Sequence, residues 1–208
     1  MTIVIQTTTT KRNPESKSKS TPKIPRYIIR KMLKPYLIPF QEKMKYTLVT
    51  ARFNSETYEE NKRFRERNQA TFGCIYGIPG LNTKIDINKP IYVLEMNNSE
   101  NRIMGIGCIE YRHINKKVFL HKAGNYNRYI FVGKYRIDRS EMSESQERAM
   151  AILDTVCFKN PSHLKRGQGF IIFPTIVLYK WEYLNHFNMI NYISEMFRKR
   201  YTTPNKNT

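Results

Sequence analysis

Ile91-Tyr92-Val93-Leu94-Glu95-Met96 and, after Asn97-Asn98-Ser99-Glu100-Asn101, Ile103-Met104-Gly105-Ile106-Gly107-Cys108-Ile109-Glu110-Tyr111 form the stretch that decides the fold. Both runs are rich in β-branched and aromatic residues, and the polar, Asn-rich connection suits a tight turn, so an antiparallel strand pair is predicted. Gly105 and Gly107 lie inside the second run, where glycine marks a bulge or sharp bend that lets a small sheet curl towards a barrel. Two further runs, Val118-Phe119-Leu120 and the segment 128–137 (RYIFVGKYRI), follow turn-forming INKK and AGNYN and extend the prediction to a meander.

On the C-terminal side, Ser143 and Gln146 have the spacing of a capping box, which opens a helix through Phe158 with an apolar stripe of Ala149, Ile152, Leu153 and Val156. A loop KNPSHLKRGQG precedes a strand at 170–173 (FIIF), and an amphipathic helical region is expected from about 175 to 200. Trp181, the one tryptophan, falls in that region and reads as core. On the N-terminal side, residues 55–69 (SETYEENKRFRERNQ) predict a polar surface helix, its acids early and its cations late as the helix dipole favours. The following FGCIYGIPG reads as a turn-rich connector.

Prolines at 25, 35 and 39 predict a short helical turn over 26–34 and then an extended strap with its cations outward. Residues 1–24 have the polar, low-complexity character of a disordered basic arm. The expected organisation is therefore an arm (1–24), a strap and surface helix (25–72), one α+β domain (73–200) and a polar tail (201–208). Its fold class is α+β, a small curled antiparallel sheet flanked by helices.

The net charge of +19, from 36 Lys and Arg against 17 Asp and Glu, points to a polyanionic partner. The surplus is not confined to the arm: residues 1–45 carry 11 cations and 2 acids, and the remainder carries 25 and 15. Cys74, Cys108 and Cys157 are odd in number and form no CxxC, and His113, His121, His163 and His186 have no Cys at metal-ligand spacing. Reduced thiols and no metal or cofactor are the expectation. With no apolar run of about 18 residues and no signal peptide, an intracellular protein without a membrane partner is expected.

Two segments carry the chemistry of a nucleic-acid interface. In His163-Leu164-Lys165-Arg166-Gly167-Gln168-Gly169, two cations and a hydrogen-bonding imidazole and amide accompany glycines that let backbone approach a phosphate. The P-loop pattern GxxxxGK[ST] is absent. In the second segment, Asn125, Tyr126, Asn127, Arg128 and Tyr129, followed by Lys134, Arg136 and Arg139, interleave rings with cations as base stacking and phosphate contact require. The same alternation describes a half-buried strand with one face in the core. Glu95, among apolar neighbours, needs a buried partner, for which Asn97, Asn98 and Arg102 are the candidates.

Arg166-Gly167-Gln168-Gly169 resembles the coenzyme A loop of GNAT-type acetyltransferases, although Leu164 stands where that pattern has Arg or Gln. YVLEMNNSENRIMGIGCI, AGNYNRYIFVGKYRIDR and SHLKRGQG together resemble an uncharacterised protein group of large nucleocytoplasmic DNA viruses, over roughly residues 70–173. The order of apolar strand, short loop and IxGIGxI strand also resembles the PUA-like families, including EVE and YTH modules. Those are small barrels that bind RNA or modified bases in a pocket; the Trp-rich cage of YTH has no counterpart here. The resemblance implies a PUA-like barrel and a protein that binds nucleic acid, DNA or RNA, and reads RNA or an unstacked or modified base through a PUA-like pocket. Two other readings stay open: a viral assembly protein docking acidic structural partners through its basic surface, and an acyltransferase.

Overall fold

The computed structural model describes residues 26–86, 88–159 and 163–202, without the side chains of Arg26, Tyr27 and Arg30. The expected arm 1–24 lies outside the described residues. Along the chain run α1 (Arg26–Lys43), β1 (Thr47–Phe53), α2 (Ser55–Arg67), β2 (Cys74–Ile78), β3 (Ile91–Asn97), β4 (Arg102–Ile109) and β5 (His113–Ile114). Then follow β6 (Tyr129–Gly133), β7 (Tyr135–Asp138), α3 (Glu144–Asp154), β8 (Ile171–Ile172), α4 (Thr175–Asn185) and α5 (Met189–Thr202).

The fold is α+β with two sheets that do not close into a barrel. The larger has the order β7-β4-β3-β1-β8 and the smaller the order β2-β6-β5. All pairings are antiparallel except β1 with β3, which run parallel from Thr47 opposite Ile91 to Phe53 opposite Asn97. Parallel neighbours need a crossover, and α2 and β2 lie within it.

The larger sheet is covered on both faces, and for that reason β3 is buried at every position, Glu95 and Asn97 included, rather than at alternate ones. On one face Leu48, Tyr92, Leu94, Met96 and Ile106 pack with α3, α4 and α5. On the other, Val49, Ala51, Ile91 and Val93 pack against Tyr76, Phe131, Tyr58 and Phe170. Glu95 alternates onto this second face, between the sheets.

The β3–β4 pair forms as predicted, and so does the bulge: Leu94 faces Ile106 but Met96 faces Ile103, so two residues of β4, Met104 and Gly105, stand against Glu95 alone. The glycines have a steric reason. A Cβ on Gly107 would lie 2.0 Å from the Tyr76 hydroxyl, and one on Gly105 would lie 2.6 Å from Nη2 of Arg136.

The rest of the predicted meander is corrected. Residues 118–120 form no strand, and 128–137 is two strands in different sheets, broken at Lys134. There the chain passes from β2 as partner to β4, and a Cβ on Gly133 would sit 2.0 Å from the Cys108 carbonyl oxygen. The connector at Cys74–Ile78 is strand β2, and Thr47–Phe53, to which the sequence reading assigned no element, is strand β1 at the heart of the larger sheet.

The helices follow their local signals with three differences. Pro35 and Pro39 do not interrupt α1; both are exposed, so the backbone carbonyls they leave without a helical donor can turn to water. The region 175–200 divides into α4 and α5 at His186, which takes a left-handed conformation with φ 51°. The Ser143–Gln146 capping box is present, but α3 ends at Asp154 and gives way to a π-turn, Thr155–Lys159. Ile152 is exposed, and Met150 and Cys157 take its place in the core. Trp181 packs on Phe173 with ring centroids 5.9 Å apart.

Among the described residues no helix is long and apolar enough to cross a membrane. Among the described residues, those from Tyr36 onward form one packed unit, and those from 26 to 35 fall outside it.

Candidate nucleic-acid interface

The parallel strands β1 and β3 end together, with the Asn98 amide donating to the Phe53 carbonyl at 2.7 Å. Immediately beyond β1, Asn54 caps α2: its Oδ1 accepts the Thr57 amide at 2.7 Å, and the Thr57 hydroxyl accepts the Asn54 amide at 3.0 Å. The positive end of the α2 dipole is thereby placed at the carboxyl end of a parallel strand pair, a recurrent position for anions.

A cleft of about 420 Å³ opens there. The loop 163–169 forms one wall, through Lys165, Gly167, Gln168 and Gly169, and Tyr126 with His121 forms another. Gly77 of β2 makes this approach feasible, since a Cβ there would meet the Tyr126 carbonyl oxygen at 2.1 Å. Two segments separated by about forty residues in the chain thus face one another.

Arg52 shapes the loop. Its Nη2 donates to the Gly169 carbonyl at 2.6 Å, its Nε to the Gly167 carbonyl at 3.1 Å and its Nη1 to the Thr50 hydroxyl at 3.2 Å. Gly167 and Gly169 have φ of +103° and +66°, backbone that residues with a Cβ rarely adopt, which explains both glycines. Asn98 adds a second tie, its Nδ2 donating to the Lys165 carbonyl at 3.1 Å. Burial pulls the Arg52 pKa down, but a guanidinium stays protonated in proteins.

The charge of this wall is not cancelled. Among the described residues Arg52, Lys165 and Arg166 form no ion pair; Lys165 Nζ donates to the neutral Asn101 Oδ1 at 2.6 Å. One acid, Glu56, lines the cleft and is paired with Lys122 at 3.2 Å, and Glu60 is paired with the lining residue His121 through Nδ1 at 2.9 Å.

The remaining sequence candidates are dispersed. Arg166 is exposed on the loop, and His163 is half-buried with Nδ1 lacking a partner among the described residues. Asn125 is exposed, whereas Asn127 holds a turn, its Oδ1 accepting the amides of Leu120 and His121 at 3.0 and 2.8 Å. Arg128 lies over the Tyr129 ring, 5.4 Å from its centroid. Lys134 is exposed beyond the opposite end of β6.

Arg136 and Arg139 differ from the sequence reading, because both are interior cations paired with carboxylates and neither lines the cleft. The Arg136 side chain is 7% exposed and pairs with Glu95 and Asp138, each at 2.7 Å. The Arg139 side chain is 5% exposed, pairs with Glu147 at 2.6 Å and Asp154 at 2.8 Å, and donates to the Ile103 carbonyl at 2.9 Å. Glu95 is likewise partnered by Arg136 and Tyr76 rather than by Asn97, Asn98 or Arg102. Burial alone would raise its pKa, but the Arg136 charge and hydrogen bonds outweigh burial and hold it below the usual carboxylate range.

Sequence reasoning missed Arg52, His121 and Asn98. Arg52 had a readable signal, a lone cation in the apolar run TLVTARF, which in a buried strand demands a dedicated set of acceptors. The loop leads into β8 rather than into a helix, so the helix N-terminus that a coenzyme A loop uses is not supplied at this point of the chain. No family model matches the chain, and neither a curated protein nor a solved structure matches it.

Proposed function

We propose that this chain binds nucleic acid, with loop 163–169 on the phosphate backbone and the cleft beside Tyr126 receiving an unstacked base. The observation that carries this reading is the contrast among its cations. Arg136 and Arg139 are cancelled by paired carboxylates, whereas Arg52 and Lys165 line the cleft at the start of α2 without an ion pair among the described residues, Arg166 is exposed on the same loop, and Glu56, the acid in the lining, is paired with Lys122. An uncancelled cluster in a partly desolvated cleft attracts phosphate more strongly than the same charges spread over a convex surface. Tyr126 supplies a ring on which any base can stack, worth roughly 1 to 3 kcal/mol.

The reading agrees with the resemblance to PUA-like modules, which hold a base in a pocket of a small barrel. Here the cleft lies where the two sheets approach, and we read the pair of sheets as an open version of such a barrel. The surplus of cations over the whole chain adds attraction without sequence preference.

Filter-binding titrations with single-stranded and duplex DNA and RNA at several salt concentrations test the proposal. Log affinity is expected to fall linearly with log salt, and Lys165→Ala with Arg166→Ala to flatten the slope by about 1 to 2. A slope unchanged by these substitutions removes the loop from the interface. Absence of binding to all four probes at low salt overturns the proposal.

A further inference from the structure

A second and larger cleft, about 930 Å³, lies on a different surface, between α5 and the junction of the two sheets around Cys108 and Gly133. Its floor is a run of rings in contact. Tyr46 stacks on Tyr92 with centroids 4.6 Å apart, Tyr92 on Phe197 at 5.1 Å, Phe197 meets Tyr201 at 6.0 Å and Tyr201 meets Tyr135 at 4.7 Å. The inner rings are buried, but Tyr135 and Tyr201 are 39% and 42% exposed and line the mouth.

These outer rings are held in place. The Tyr201 hydroxyl accepts the Arg136 amide at 3.2 Å and donates to the Arg136 carbonyl, which ties the last turn of α5 to β7. Lys134 sits over Tyr135, 5.6 Å from the ring centroid. An exposed aromatic pair fixed before any ligand arrives loses little conformational freedom on binding, the economy that pre-organised sites use. The rim is cationic. Arg112 and Lys134 form no ion pair among the described residues, Arg198 is paired with Glu195, and Glu110 is the one acid lining the cleft.

An apolar floor of rings demands a flat, polarisable partner, and a rim with surplus positive charge demands an anion attached to it. We propose that this cleft binds a nucleotide, its base stacked at Tyr135 and Tyr201 and its phosphate held by Lys134 and Arg112. The nucleotide is either free or one unit of a single strand, and the chemistry is the same. Neither Tyr135 nor Arg112 touches the first cleft, so the inference does not depend on the reading of loop 163–169.

Calorimetric titration of the full chain tests it, with four nucleoside monophosphates in one arm and short single-stranded oligonucleotides in the other. Ribose 5-phosphate, which lacks the base, serves as control. At least one arm is expected to bind, with Tyr135→Ala weakening affinity about tenfold or more and Lys134→Ala with Arg112→Ala weakening it further at low salt than at high salt. Monophosphate binding assigns the site to a free nucleotide; binding of oligonucleotides alone assigns it to a strand. All three residues are exposed, so thermal melts of these variants are expected to match the parent. Lys165→Ala with Arg166→Ala is expected to leave monophosphate binding unchanged, which separates this cleft from the first. The inference is overturned if neither arm binds, if Tyr135→Ala binds as the parent does, or if ribose 5-phosphate binds as tightly as the nucleotides.

Discussion

The guanidinium of Arg136 grips the carboxylate of Glu95 along its edge, Nε lying 3.0 Å from Oε1 and Nη2 lying 2.7 Å from Oε2. The Glu95 side chain has no exposed surface, and Tyr76 donates to Oε1 at 2.8 Å while Tyr58 accepts from Arg136 Nη2 at 3.3 Å. Strands β3, β7 and β2 and helix α2 are joined by this one cluster between the sheets. Breaking such a pair by removing one partner strands a buried charge, which costs about 3 to 5 kcal/mol. Arg136→Met is therefore expected to lower Tm by roughly 6 to 20 °C for a chain of this length. Adding Glu95→Leu and Tyr76→Phe to it should recover most of that loss, because the Glu95 carboxylate and the Tyr76 hydroxyl are then removed along with their partner and only the Tyr58 hydroxyl loses a hydrogen bond. Denaturant unfolding of the single and triple variants checks the order, which a fold indifferent to this cluster would not show.

Gly107 and Tyr76 give a second expectation. With a built Cβ 2.0 Å from the Tyr76 hydroxyl, Gly107→Ala must move a side chain in a packed core, at a cost of about 1 to 3 kcal/mol. Pairing it with Tyr76→Phe, which removes the closest atom, is expected to cost less than the sum of the two changes. Strict additivity in urea unfolding would show that the contact is not tight.

Acid dependence follows from the carboxylates. Glu95, Asp138 and Glu147 all have pKa values held below their ordinary values. The unfolded chain therefore takes up protons before the folded one does. The stabilisation is complete above the ordinary carboxylate value, near 4.5 for Glu95, and is lost as pH falls through the lower folded values. Thermal melts between pH 7 and pH 3 should show Tm falling below about pH 4.5. The fall should be shallower in the Arg136→Met, Glu95→Leu, Tyr76→Phe variant.

Arg52→Ala removes the two donors that hold the carbonyls of Gly167 and Gly169. Amide exchange within 163–169 is expected to accelerate, and affinity for nucleic acid to fall by more than one lost charge accounts for, because the loop is no longer pre-formed. Arg52→Lys keeps the charge but not the fork, so it should restore the salt slope without restoring the protection. Hydrogen exchange and filter binding on the same samples read both effects.

The thiols should be inert. Burial pushes Cys74 and Cys157 up to about 12 and Cys108 up to about 11, so little thiolate exists at pH 8. A thiol reagent at pH 8 is expected to modify none of the three within minutes in the native chain and all three after denaturation.

The strands and helices that declared themselves in the sequence did so through local rules. The β3–β4 pair was legible because both runs and their Asn-rich turn lie within twenty residues, and α3 because Ser143 and Gln146 complete a capping box. Strand β2 was read as a connector because its glycine looked like punctuation, whereas Gly77 is there to let the Tyr126 carbonyl approach. The alternation in 128–137 was real, but nothing local revealed that Lys134 divides it between two sheets. The cations and glycines of loop 163–169 were legible in the sequence; the contact of this loop with Arg52 was not, since the two meet only by tertiary packing.

An α+β chain with a large positive surplus could be read from the residues alone, because composition, capping and strand pairing act over short stretches of chain. Tertiary structure alone decided which cations remain available. Arg136 and Arg166 look alike in the chain, yet one is cancelled in the interior by Glu95 and the other is exposed on a loop with no ion pair among the described residues. Charge becomes function only where no opposite charge lies within a few ångströms, and that distance is set by how the two sheets pack.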